Sequence, residues 1–109
     1  MMEDVMRMIL YAGILTSLLV PTAARSDGGQ QVTIDNFTFS PATLTVAKGT
    51  TVTWTNQDDI PHSIILGGVG VHSKALDTDG SFSYQFDKAG TFTYVCGLHP
   101  HMHGEVVVR

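Results

Sequence analysis

The chain has a single cysteine, and that scarcity sets the first constraint. Cys96 has no partner for an intramolecular disulfide, the usual staple of a small exported domain. Cations are also few: six Lys and Arg stand against ten Asp and Glu, for a formal net charge of −4. Beyond residue 26 only Lys48, Lys74, Lys88 and Arg109 carry positive charge. They form no basic patch, which argues against nucleic acid as a partner. No apolar run reaches the roughly 20 residues that a membrane-spanning helix needs. Residues 27–109 also lack any amphipathic helical period, any internal repeat and any low-complexity tract.

What is present begins with an address. Residues 8–20 (MILYAGILTSLLV) form an uncharged, mostly apolar run preceded by Arg7 and followed by small residues through Ser26. This is the pattern of a secretory signal, expected to span residues 1–26 with cleavage between Ala23 and Asp27. Glu3 and Asp4 outweigh Arg7 in its first segment, and a start at Met6 restores the usual positive beginning. One domain, residues 27–109, is expected to remain. It is expected in the periplasm, free of the membrane after cleavage, and monomeric. A lone thiol sent to an oxidising compartment is a liability unless something occupies it, and metal ligation is the obvious occupation.

The remaining residues read as short β-strands with period-two alternation between turn signals. Residues 31–39 carry Val32, Ile34, Phe37 and Phe39, with a change of parity after Ile34 that predicts a bulge or bend before Pro41. Residues 43–46 and 51–56 follow, the latter alternating Val52 and Trp54 with threonines. A strand is expected at 62–66, and a short helical turn near Ser73–Leu76 within the glycine-rich stretch 67–80. Phe82, Tyr84 and Phe86 mark the next strand, Phe92, Tyr94 and Cys96 another, and residues 105–109 the last. About seven to eight short strands with turns every eight to twelve residues make an all-β sandwich.

The chemistry concentrates in Cys96-Gly-Leu-His99-Pro-His-Met102-His-Gly104. Cys96 is in phase with Phe92 and Tyr94, so its sulfur is expected to point inward. The short loop after it offers an imidazole three residues on and a thioether six residues on. His62, after Pro61, opens another strand and supplies a second imidazole. Two imidazoles, a thiolate and a weak axial thioether suit a copper ion used for electron transfer. Structural zinc favours four strong ligands, and a methionine is out of place there. Met1, Met2, Met6 and Met8 all lie in the leader, so Met102 is the single methionine of residues 27–109.

From Gln31 onward the chain resembles the bacterial plastocyanin- and amicyanin-like cupredoxins. The segments Phe39-Ser-Pro-Ala-Thr-Leu-Thr-Val, Gly49-Thr-Thr-Val-Thr-Trp-Thr-Asn, Pro61-His62, Gly90-Thr-Phe-Thr-Tyr-Val-Cys96 and the ligand loop carry the likeness. The resemblance implies a Greek-key sandwich and one type 1 copper per chain, held by His62, Cys96, His99 and Met102. It also implies outer-sphere electron transfer between periplasmic redox partners that dock transiently. One departure stands out. Many members have Asn after the first histidine ligand, tying the two ligand loops together, and this chain has Ser63. Its backbone N–H is expected to donate to the Cys96 sulfur, and its hydroxyl to make a shorter tie.

An electron carrier, not an enzyme, is therefore expected, because four protein ligands leave no open position for substrate. A periplasmic carrier or scavenger that passes copper rather than electrons is the second reading, kept open by His101 and His103, which can take a second metal. A thiol hydrolase built on Cys96 and His99 lacks an Asn or Asp placed to orient the histidine. His72 reads as a surface residue and Trp54 as core.

Overall fold

The computed structural model describes residues 29–109; the expected signal segment and its cleavage site lie outside the described residues. Nine strands form in chain order: β1 Gly29–Asp35, β2 Thr38–Ser40, β3 Thr43–Val46, β4 Thr50–Asn56, β5 Ile65–Leu66, β6 Val71–His72, β7 Ser81–Phe86, β8 Gly90–Val95 and β9 His103–Val108. They make two sheets, ordered β2-β1-β4-β7 and β3-β9-β8-β5-β6. β1 pairs with β4 in parallel and β3 with β9 in parallel, while the other pairs are antiparallel. The result is the all-β sandwich expected from the alternation.

Period-two patterning decides which face each strand buries. In β4, Val52, Trp54 and Asn56 point inward while the threonines between them are half-buried. β9 buries Gly104, Val106 and Val108 in the same way. Between the sheets lies one apolar cluster that includes Val32, Ile34, Phe39, Trp54, Phe86, Tyr94 and Val106. Cys96 and Met102 belong to the same cluster, so the expected ligands stand on the core's own packing.

Three local expectations change. The parity shift after Ile34 is a complete reversal: Asp35 pairs with Thr38, so Asn36 and Phe37 form a two-residue hairpin turn between β1 and β2. Both have positive φ, 54° and 58°, the signature of a type I′ turn. Phe37 is consequently exposed rather than core-facing. The expected strand at 62–66 is regular only at Ile65–Leu66, because His62 makes an isolated bridge to Leu76 instead. Residues 73–76 are extended rather than helical, with Ser73 N–H on Ile64 O at 2.8 Å and Leu76 N–H on His62 O at 2.6 Å. The one short helical turn among the described residues is a 3₁₀ turn at Gly67–Val69, closed by Gly70 at φ 69°.

Gly104 marks the tightest approach beside the site. It lies opposite Tyr94 on β8, and a Cβ there would sit 2.5 Å from Tyr94 Oη, 2.7 Å from Cζ and 3.0 Å from Ala42 O. The phenol cannot retreat, because Phe39 and Trp54 pack edge-on against it at centroid distances of 4.8 and 5.2 Å. Gly104→Ala is therefore expected to cost about 1–3 kcal/mol of stability by overpacking. Among the described residues Tyr94 Oη is buried with no hydrogen bond of ordinary geometry and faces only the Trp54 indole as a weak partner, so Tyr94→Phe alone should be close to neutral. Combined with Gly104→Ala it should recover part of the loss. Urea unfolding of the four proteins in this cycle checks both points, and strictly additive effects would show that the two residues do not collide.

Candidate metal centre

Three elements bring the site together at one end of the sandwich. β8 delivers Cys96 immediately after Val95, in phase with Tyr94 and fully buried. The loop that follows is built from two turns. His99 N–H donates to Cys96 O at 3.3 Å and Met102 N–H donates to His99 O at 2.9 Å. Pro100 takes the second position of the latter turn, where its fixed φ is already suited. Cys96 N–H then donates to Met102 O at 3.0 Å, closing the loop so that Met102 returns beneath Cys96, 4% exposed. His62 comes from the other side, pinned by paired backbone bonds to Leu76 and fully buried.

Cys96 Sγ lies 3.6 Å from His62 Nδ1 and 3.7 Å from His99 Nδ1. All three donor atoms fall within 4.8 Å of one another. Imidazole and thiolate bonds to a first-row metal run about 2.0–2.3 Å, and two such bonds 120° apart place their donors about 3.7 Å apart. The cluster thus fits one ion in the plane of two imidazoles and a thiolate. The donor set is soft and includes a single thiolate, which suits copper. Met102 is buried in the same core cluster as Cys96, 4% exposed.

The surroundings of the sulfur follow the Ser63 expectation. Ser63 N–H donates to Cys96 Sγ at 3.4 Å, and Ser63 Oγ accepts the Gly97 N–H at 3.0 Å. A hydroxyl therefore ties the two ligand loops where an amide is usual. The tie is short because Gly97 brings its backbone close: a Cβ on Gly97 would sit 2.7 Å from Ser63 Oγ. His101 and His103 are exposed and flank buried Met102 on alternate sides, and His72 is at the surface.

Two contributors escaped the sequence reading. Asp58 accepts from Asn36 N–H (2.6 Å) and Phe37 N–H (2.9 Å), and its Oδ2 lies 2.7 Å from His62 Nε2. The Phe37 N–H is the main influence holding this carboxyl below its ordinary 3.8; burial opposes it, and Asn36 and His62 add to the lowering. Phe37 itself stands edge-on to both His62 and His99, at centroid distances of 5.5 and 5.3 Å. No spacing rule links residues 37, 58, 62 and 99. An Asn in the turn position before Phe37 was the one available hint, since Asn tolerates positive φ.

A two-sheet sandwich with a His–Cys–His cluster between its loops at one end defines the class of small blue-copper folds. Residues 7–108 match the family described as Cupredoxin-like domain, and the chain belongs to that family. Amicyanin of Paracoccus denitrificans is 34% identical over 89 residues, covering 77% of this chain and 68% of that protein. A chloroplastic plastocyanin of Tetradesmus obliquus is 37% identical over 84 residues, 65% of this chain and 58% of the other. The copper-resistant cuproprotein CopI of Rubrivivax gelatinosus is 31% identical over 102 residues, 69% and 62%. Among solved structures, the Cu(I) form of a single-residue variant of amicyanin superposes with a TM-score of 0.71. It shares 33% identity, covering 78% of this chain and 86% of that one.

Proposed function

We propose that this protein carries single electrons between periplasmic redox partners through one copper held by His62, Cys96, His99 and Met102. The observation that carries the reading is the trio of donor atoms, two Nδ1 and one Sγ, gathered at the end of a rigid sandwich. Copper in such a site supplies a one-electron couple whose two states accept the same trigonal arrangement. The protein's part is to hold that arrangement fixed. His62 and Cys96 are buried, each is bonded to its own scaffold, and the Ser63 tie joins their loops. Little needs to rearrange when charge arrives or leaves.

His99 is the half-buried member of the trio and so the natural edge for exchange. Leu98, 51% exposed, stands beside it with Pro100, and Phe37, 46% exposed, covers its other side. A small apolar patch of this kind suits weak, transient docking with a redox protein. Leu98→Asp is expected to slow exchange with a physiological partner at least tenfold by placing a desolvated charge in the contact. Its optical spectrum should stay unchanged. An unaltered rate in stopped-flow would remove Leu98 from docking.

The copper-resistance relative keeps a metal-passing role as the second reading. Adding Cu(II) to the exported protein and following it by visible spectroscopy and voltammetry separates the two. Intense blue colour with fast, reversible cycling and slow loss to a chelator supports the carrier. A pale complex that gives its copper readily to a chelator supports metal transfer and sinks the carrier reading.

A further inference from the structure

Phe37 is an odd occupant of its turn. A type I′ hairpin wants positive φ at both central residues, and Asn-Gly is the favoured pair. Asn36 conforms, but a bulky aromatic at φ 58° is strained. Strain of this kind persists only where the surroundings hold it in place. Here the two successive N–H groups of Asn36 and Phe37 form a concave nest, and the Asp58 carboxylate fills it.

Asp58 is immobilised from every side. Its own N–H donates to Asn56 Oδ1 at 2.9 Å, and its carbonyl accepts the Thr78 hydroxyl at 2.6 Å. Asn56 is fully buried and fixes the loop further through Ile60 O and Leu76 O, at 2.9 and 2.8 Å. The carboxylate's third bond reaches His62 Nε2. An ionised carboxylate only accepts, so the imidazole must be the donor there. In the neutral ring the proton then sits on Nε2, which leaves Nδ1, 3.6 Å from Cys96 Sγ, with its lone pair.

We infer that Asp58 is a positioning residue for the metal centre, locking His62 in its ligating tautomer and strapping the Phe37 turn to the site before any metal arrives. A carboxylate behind a ligating imidazole raises the ring's basicity and fixes its plane, and losing such a partner typically costs 10–100-fold in metal affinity or activity. The inference rests on the copper-carrier reading, but its principal test is made on metal-free protein.

The test is histidine ¹⁵N NMR of the metal-free chain, wild type and Asp58→Asn, with copper release to a chelator as a second readout. The expected wild-type result is a protected Nε2–H on His62. Asp58→Asn should lose that protection and release copper at least tenfold faster. A wild-type ring protonated at Nδ1 overturns the inference, whatever colour the copper form has. So does a variant that keeps the wild-type tautomer and releases copper within twofold of wild type, the pattern of a purely structural residue that lowers thermal stability alone. If Asp58→Asn does not fold, Phe37→Gly separates ring from strap. It keeps both N–H donors and removes the strain, so His62 should retain its Nε2–H; loss of that tautomer would assign the positioning to the aromatic ring and overturn the role given to Asp58.

Discussion

Cys96→Ser is expected to abolish the intense blue colour of the copper form and to lower copper affinity by several orders of magnitude. The buried sulfur is the common neighbour of both Nδ1 atoms and the acceptor of the Ser63 N–H. It is also the only donor of the trio able to bring negative charge, since the imidazoles bind neutral. A serine oxygen is harder, far less acidic and shorter in reach, so the two rings would face a neutral hydroxyl. Any copper that remained would bind through imidazoles and be pale. The measurement is a visible spectrum beside a competitive chelator titration of both proteins. Undiminished colour in the variant would mean that the chromophore is not a bond to Cys96, and the proposed ligand set would fall with it.

Trp54→Ala carries the largest expected loss of stability. The indole is fully buried at the centre of β4 and packs against Phe82, Phe86 and Tyr94 at centroid distances of 5.9, 6.4 and 5.2 Å. Truncating a buried tryptophan costs about 3–5 kcal/mol. At about 0.05–0.15 kcal/mol per residue, a domain of this size holds roughly 4–12 kcal/mol in all. The metal-free variant should therefore lose a quarter or more of its stability, and from the lower part of that range it would reach the edge of unfolding. Copper binds the folded state selectively and shifts the balance back, by about 4 kcal/mol when free metal stands a thousandfold above the dissociation constant. Urea titration with and without copper checks this. A metal-free stability within about 1 kcal/mol of wild type would show that the cavity collapses and that the aromatic cluster does not hold the two sheets together.

The two predictions draw on different depths of the sequence. Trp54 and the Cys96–Met102 loop are legible because period-two burial and a compact run of donor residues are local signals. His62 is legible only through its neighbour Pro61 and the chemical need for a fourth donor. Asp58 and Phe37 are illegible for a physical reason: their roles depend on β1, β2 and the 57–61 loop meeting in space, and neither residue type advertises it. The same limit explains the Asn36–Phe37 reversal. A turn with Asn-Gly would have announced a hairpin, whereas Asn-Phe passes for a continuing strand with a kink. The Ser73–Leu76 stretch misleads for a related cause, since its extended form is fixed by partners at Ile64 and His62 rather than by its own propensity.

The parallel pairing of β3 with β9 has a consequence for the order of events in a cell. Residues 43–46 find their partners at 105–108, some sixty positions later. Contacts of such long range put a sandwich among the slow folders, on a millisecond-to-second scale. The loop bearing Cys96, His99 and Met102 is flanked by β8 and β9, and β9 is held on its other edge by β3. The sheet behind the loop is therefore complete only when that long-range pair closes. A chain in which β9 has yet to form cannot hold the assembled trio of donors. Metal insertion must then follow the closing of β9 between β3 and β8.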